Sequence, residues 1–166
     1  MPPGTTDGDG IPGHSISLVV EGGDIQNIGQ AIADKKTPGT GTYGTTTIVT
    51  IDSRGITSEI NFYVLSQVII AVEIDITALT GYVSTTGDLI IAAIAEYLSG
   101  LEIGEDVNLF RIGTPANLNG DPLSSTYEVT EIRIGRDGNP PAAANITIAF
   151  NEAAFCDLNN VLLTVA

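Results

Sequence analysis

From residue 15 the chain alternates. Ile16, Leu18 and Val20 lie on one side of an extended backbone and Ser15, Ser17 and Val19 on the other, the two-residue period of a strand with one buried face. Gly22-Gly23 ends that pattern and the period changes. Ile25, Ile28 and Ile32 recur at helical spacing behind Asp24, a capping residue, and the segment runs to Lys35-Lys36, whose charges suit a helix C-terminus. Thr37-Pro38-Gly39 stops the helix. Residues 45–51 are rich in Thr, Ile and Val, and Ile60, Phe62 and Val64 alternate beyond the turn signal Asp52-Ser53-Arg54-Gly55, which predicts a β-hairpin. The first half therefore reads β-α-β-β.

The second half opens on the clearest strand of the chain. Ile70, Val72, Ile74 and Ile76 point one way, and Ala71, Glu73, Asp75 and Thr77 the other. A helix is predicted over 86–99, with Ile90, Ile94, Tyr97, Leu98 and Leu101 on one stripe and Gly100 closing its end. Glu105-Asp106-Val107 opens a shorter helix that Gly113 and Pro115 interrupt. A strand over 127–134 shows a phase slip, from the odd positions Tyr127 and Val129 to the even positions Ile132 and Ile134, and a bulge near Thr130–Glu131 absorbs it. Ile146, Ile148 and Phe150 alternate as a further strand, and Val161, Leu163 and Val165 as the last. This half again reads β-α-β-β, with an extra helix and strand, a duplication of architecture without a residue-level repeat. The fold class is α+β, two consecutive β-α-β-β units with helices packed on small mixed or antiparallel sheets. Residues 15–65 form the first unit and 66–166 the second. Residues 1–14, rich in Gly, Pro and Asp, read as a linker or the cut end of a longer protein.

Composition narrows the functional classes. Six Lys+Arg stand against 20 Asp+Glu, a net charge of −14, in a chain of 166 residues that is 43% hydrophobic and 16% charged. That balance fits a packed globule, and its field repels phosphate backbones and anionic headgroups, so neither nucleic acid nor membrane is an expected partner. The apolar stretches around 68–76 and 89–98 carry Glu73, Asp75 and Glu96, and fall short of the roughly 20 residues of a bilayer span. The opening residues show neither the basic nor the apolar block of a signal peptide. One cysteine and one histidine preclude an internal disulfide and a Cys/His zinc site.

Candidate chemistry is thin. Gly39-Thr40-Gly41-Thr42-Tyr43-Gly44 spells G-x-G-x-x-G, but it follows a helix and precedes a strand. No helix N-terminus then faces a phosphate, and the segment reads as a glycine-rich turn carrying one tyrosine. Asp7-Gly8-Asp9-Gly10 resembles the start of a calcium loop without the glutamate an EF-hand needs. Glu105-Asp106 reads as helix-capping acids rather than an acid–base pair. His14 is the residue type suited to general-base work, but it has no second histidine or placed nucleophile beside it in sequence. Cys156 lies in the apolar run Ala153-Ala154-Phe155-Cys156 without a basic neighbour to activate it. Asn145-Ile146-Thr147 matches a glycosylation tripeptide but falls in a predicted strand. The expectation is no catalytic residue, no cofactor and no metal.

The order of features nevertheless resembles a known family. Gly10-Ile11-Pro12-Gly13-His14-Ser15-Ile16, then Val19-Val20-Glu21-Gly22-Gly23-Asp24, Ala31-Ile32, Lys35-Lys36, Pro38-Gly39 and Thr42-Tyr43-Gly44 look like the C-terminal part of baseplate J-like proteins of contractile-tailed phages and prophages. Gly81-Tyr82, Ile103-Gly104-Glu105-Asp106-Val107 and Ile146-Thr147-Ile148-Ala149-Phe150-Asn151-Glu152 extend the resemblance over nearly the whole chain. It departs in 111–118, where Gly113 and Pro115 interrupt a stretch the family runs as helix, and in the longer loop at 119–125. The resemblance implies a structural wedge component of the tail baseplate, located in the virion and, during assembly, in the host cytoplasm. Its implied partners are other baseplate proteins and further copies of itself, and catalysis is not implied. It also implies that a further N-terminal region belongs before this chain. The strands agree with such a role in one respect: the two lysines, which guard sheet edges against unwanted pairing, lie outside every predicted strand. The rival expectations are a cell-surface or carbohydrate-binding module, disfavoured by the absence of Trp, and a hydrolase using Asp/Glu pairs, which lacks His, Cys and Lys partners.

Overall fold

The computed structural model describes residues 4–52 and 54–166. Residues 1–3 of the predicted linker and Ser53 of the predicted turn thus lie outside the described residues. The fold is α+β, and the chain divides into two compact units meeting in sequence at Ser66/Gln67.

In the first unit the predicted strand over 15–20 is two strands. β1 (Ser15–Ser17) pairs in parallel with β3 (Gly41–Tyr43), and β2 (Val19–Val20) pairs in parallel with β5 (Thr57–Val64). The backbone changes partner at Leu18, whose carbonyl accepts the Tyr63 N–H at 2.8 Å. The strand β3 corrects the reading of 39–44 as a turn. Helix α1 (Ile25–Lys35) starts where predicted, with Asp24 accepting the Asn27 N–H at 2.9 Å. The hairpin of β4 (Thr46–Ile51) and β5 is in continuous antiparallel register, Ile48 opposite Ile60. At its turn the Asp52 carboxylate accepts the N–H groups of Arg54 and Ile56. The three-stranded sheet runs β2-β5-β4, and Ile32, Ile48, Ile60 and Phe62 form the core between it and α1. Ahead of β1, Asp7 accepts N–H bonds from Asp9 and Ile11, and Thr6 bridges Pro12, so this part of the predicted linker holds a hydrogen-bonded turn.

The second unit is built on β6 (Ser66–Ala78). Its alternation is realised in full: Val68, Ile70, Val72, Ile74 and Ile76 are all buried. Helix α2 (Ser84–Ser99) buries Ile90, Ile94 and Leu98, and the Gly100 N–H closes its end on the Glu96 carbonyl. β7 (Tyr127–Arg136) runs antiparallel to β6, and its register shifts where Asp75 faces Glu131 and Ile76 faces Val129. Thr130 is the extra residue, so the phase slip in the sequence is a β-bulge, as expected. The Thr130 hydroxyl donates to the Asp75 carbonyl at 2.9 Å and ties the bulge down. The last strand, β9 (Val161–Val165), pairs in parallel with β6.

Two expectations are corrected here. Residues 146–150 are not a strand: Ile146 makes an isolated bridge to Val107, and the strand of this region, β8 (Glu152–Phe155), lies later and neighbours β6. Ile146 and Ile148 are buried as their alternation required, but their backbones are met by a loop rather than a ladder. Helix α3 (Leu109–Ala116) starts at the cap Asn108, not at Glu105-Asp106, and runs through both Gly113 and Pro115. Burial of Ile112, Pro115 and Ala116 against the core outweighs the helix-breaking tendency of those residues, with only Ala116 following the proline.

Candidate functional site

The residues tested for chemistry hold the backbone. Glu105 braces a loop, its Oε2 accepting the Glu102 N–H at 3.1 Å and its Oε1 meeting Arg111 at 3.2 Å. Asp106 turns elsewhere and accepts the Ile148 N–H at 2.9 Å, so the two adjacent acids share no site and cap no helix. Asn145 accepts the Leu109 N–H at 3.0 Å and supports the first turn of α3. Among the described residues no group of three or more His, Cys, Asp and Glu side chains is placed to hold a metal ion.

Cys156 belongs to the core of the second unit. Burial, with Asp157 beside it, pushes its thiol up to about 11, so near neutral pH it stays protonated and poorly nucleophilic. A maleimide applied to the native protein at pH 7 is expected to label Cys156 only as fast as the unit opens, and at once in denaturant. Rapid native labelling would contradict this burial. Because the thiol ionises more readily in the unfolded chain, stability is expected to fall as pH rises from about 9 toward 11.

On the outward face of β6 and β7, Arg133 bonds Glu73 and Asp75 at 3.0 Å each and also meets Glu131. One cation thus holds three carboxylates, and hydrogen bonds to Glu131, Glu73 and Asp75 push the guanidinium further up. Arg136 is clamped by Asp137 and Glu152.

Several of the surfaces the fold leaves open are apolar. In the first unit Ile16, Leu18, Ile28, Ala31 and Ile32 line a shallow cleft of about 440 Å³, with Lys35 and Lys36 at its margin. On the hairpin, Ile48 and Thr50 face α1, while Val49 and Ile51 point outward, 59% and 61% exposed. In the second unit Phe110 is 89% exposed on α3, beside a hollow formed with Leu109, Gly113, Val129, Thr130, Glu131 and Ile132. Sequence reasoning singled out none of these surfaces. For β4 the signal was present as a run of β-branched residues, but nothing in that run says which alternate positions a helix covers.

No family model matches the chain, and no curated protein matches it.

Proposed function

We propose that the chain is a structural component of a contractile tail baseplate, of the J-like wedge type, acting through protein–protein contacts without catalysis. The observation that carries this reading is the exposure of large apolar side chains, Val49, Ile51 and Phe110 foremost, on strands and a helix of a strongly acidic chain. Rigid elements presenting apolar side chains suit permanent contacts with neighbouring subunits. The resemblance of the residue order to baseplate J-like proteins supports tail proteins as those neighbours.

The test is co-expression with the tail proteins encoded beside it, followed by size exclusion with light scattering. A defined complex is expected, weakened at least tenfold by Phe110→Ser. That substitution removes a side chain in water and should shift folding stability by under about 0.5 kcal/mol. If no complex forms and a glycan array shows binding instead, the reading fails in favour of a carbohydrate-binding module.

A further inference from the structure

The free groups of β4 are specific enough to name an occupant. Asp52 N–H donates to the Ile56 carbonyl at 3.0 Å, and bonded pairs alternate along an antiparallel ladder. Thr46, Ile48 and Thr50 therefore direct their N–H and C=O groups to β5, and Thr47, Val49 and Ile51 direct theirs away from it. The strand order β2-β5-β4 leaves that outer side without a neighbouring strand among the described residues. The edge also lacks the usual protections. It is six residues long, contains no Lys and no Pro, and has no bulge in its register with β5.

We infer that a second copy of this chain pairs with it, β4 against β4 in antiparallel register, with Val49 opposite Val49 of the other copy. The inference deepens the assembly reading above and rests on it for its biological setting. Three observations fit a second copy in this register. The outward groups belong to alternate residues, so only registers that place Thr47, Val49 and Ile51 opposite one another satisfy them. Centring on Val49 uses all three, opposing Thr47 to Ile51, Val49 to Val49 and Ile51 to Thr47, each pair exchanging two bonds.

Side chains agree with this arrangement. Every residue of Thr46–Ile51 is β-branched, the type that packs best across strands, and Ile48 falls opposite Thr50 on the helix-covered face. Electrostatics narrows the choice of strand. Two chains of net charge −14 repel, which disfavours β7 with Glu128 and Glu131 and β8 with Glu152. Of the uncharged strands β4 is the longest, six residues against five in β9. Opposite Val49 on β5 lies an acid, Glu59. In the paired sheet the two Glu59 positions lie three strand spacings apart, about 14 Å, beyond the ~8 Å screening length of physiological salt.

Pairing through one short edge buries less than a large interface does, so the dimer is a concentration-dependent equilibrium. Light scattering on the purified chain is expected to show mass rising from monomer toward twice that value as concentration increases to ~1 mM. Val49→Lys places two cations opposite each other, and Val49→Pro removes an outward N–H that β5 does not use. Both should stay monomeric over the range in which the wild type doubles, with circular dichroism reporting the fold.

Val49→Cys keeps the fold question apart from the contact question. Opposed Cα atoms of a bonded pair lie about 5.5 Å apart, a disulfide distance. Mild oxidation should therefore give a reducible dimer at least tenfold faster than for Glu59→Cys. Wild type that remains monomeric throughout, a dimer that survives both edge variants, or equal cross-linking at 49 and 59 would overturn the pairing. A monomer that still joins the tail-protein complex leaves the assembly role standing, and a dimer without that complex removes the role but not the pairing.

Discussion

Gly44→Ala is expected to destabilise the first unit by about 3 kcal/mol or more, enough to unfold much of it. A Cβ at this position would lie 2.2 Å from the Phe62 carbonyl carbon and 2.4 Å from its Cα and oxygen. The obstacle is backbone, and it cannot retreat cheaply because β5 is held by β2 on one side and β4 on the other. The core at stake is small, four buried residues with Phe62 and Ile60 fully inside. For a unit of this size a penalty of ~3 kcal/mol is comparable with its whole stability. Hydrogen exchange is the direct measurement: amides of 57–64 should lose protection while those of 70–76 keep theirs.

The companion variant Gly41→Ala meets only Ser15 Cβ at 3.9 Å and should be tolerated. Equal behaviour of the two variants would contradict a role in close packing. The glycines of the G-x-G-x-x-G string thus have unequal tasks. Gly44 lets the connection into β4 cross the backbone of β5, Gly41 begins a strand, and Gly39 adopts φ +82° after the helix. None of these tasks concerns a phosphate.

Ile74→Ala should cost about 3–4 kcal/mol in the second unit. Ile74 is fully buried in the middle of β6, which pairs with β7 on one side and β9 on the other. Neighbours held in two ladders and by α2 cannot collapse into the space left by three carbon atoms, so the loss of transfer energy is joined by a cavity term. Urea titration should show a lower midpoint with an unchanged slope. On the same strand Ile69→Ala, at a side chain 49% exposed, should cost under about 1 kcal/mol. A similar midpoint for both variants would mean that the alternation of β6 does not define its buried face.

Where local pattern and burial coincide, the sequence alone determined the outcome. The helix behind Asp24, the long helix closed by Gly100, the hairpin around Asp52, the buried face of β6 and the bulge at Thr130 all follow from residue order. Each depends on neighbours within a few positions or on one face of one element. Such signals carry the α+β class with them.

Other features are choices of partner, and periodicity does not encode partners. The alternation over 15–20 reports an extended backbone, but only the tertiary structure divides it between β3 and β5. Ile146 and Ile148 read as a strand because they are buried on alternate positions, yet the backbone beside them belongs to a loop. Gly113 and Pro115 argue locally against a helix that core packing imposes. The open surfaces are of the same kind. Val49 and Ile48 are adjacent and equally apolar, and the placement of α1 against one side of the hairpin buries Ile48 and leaves Val49 in water. Hydrogen-bond partners and covered faces are long-range facts, determined by which elements meet, whereas a residue pattern records only which side of its own backbone avoids water.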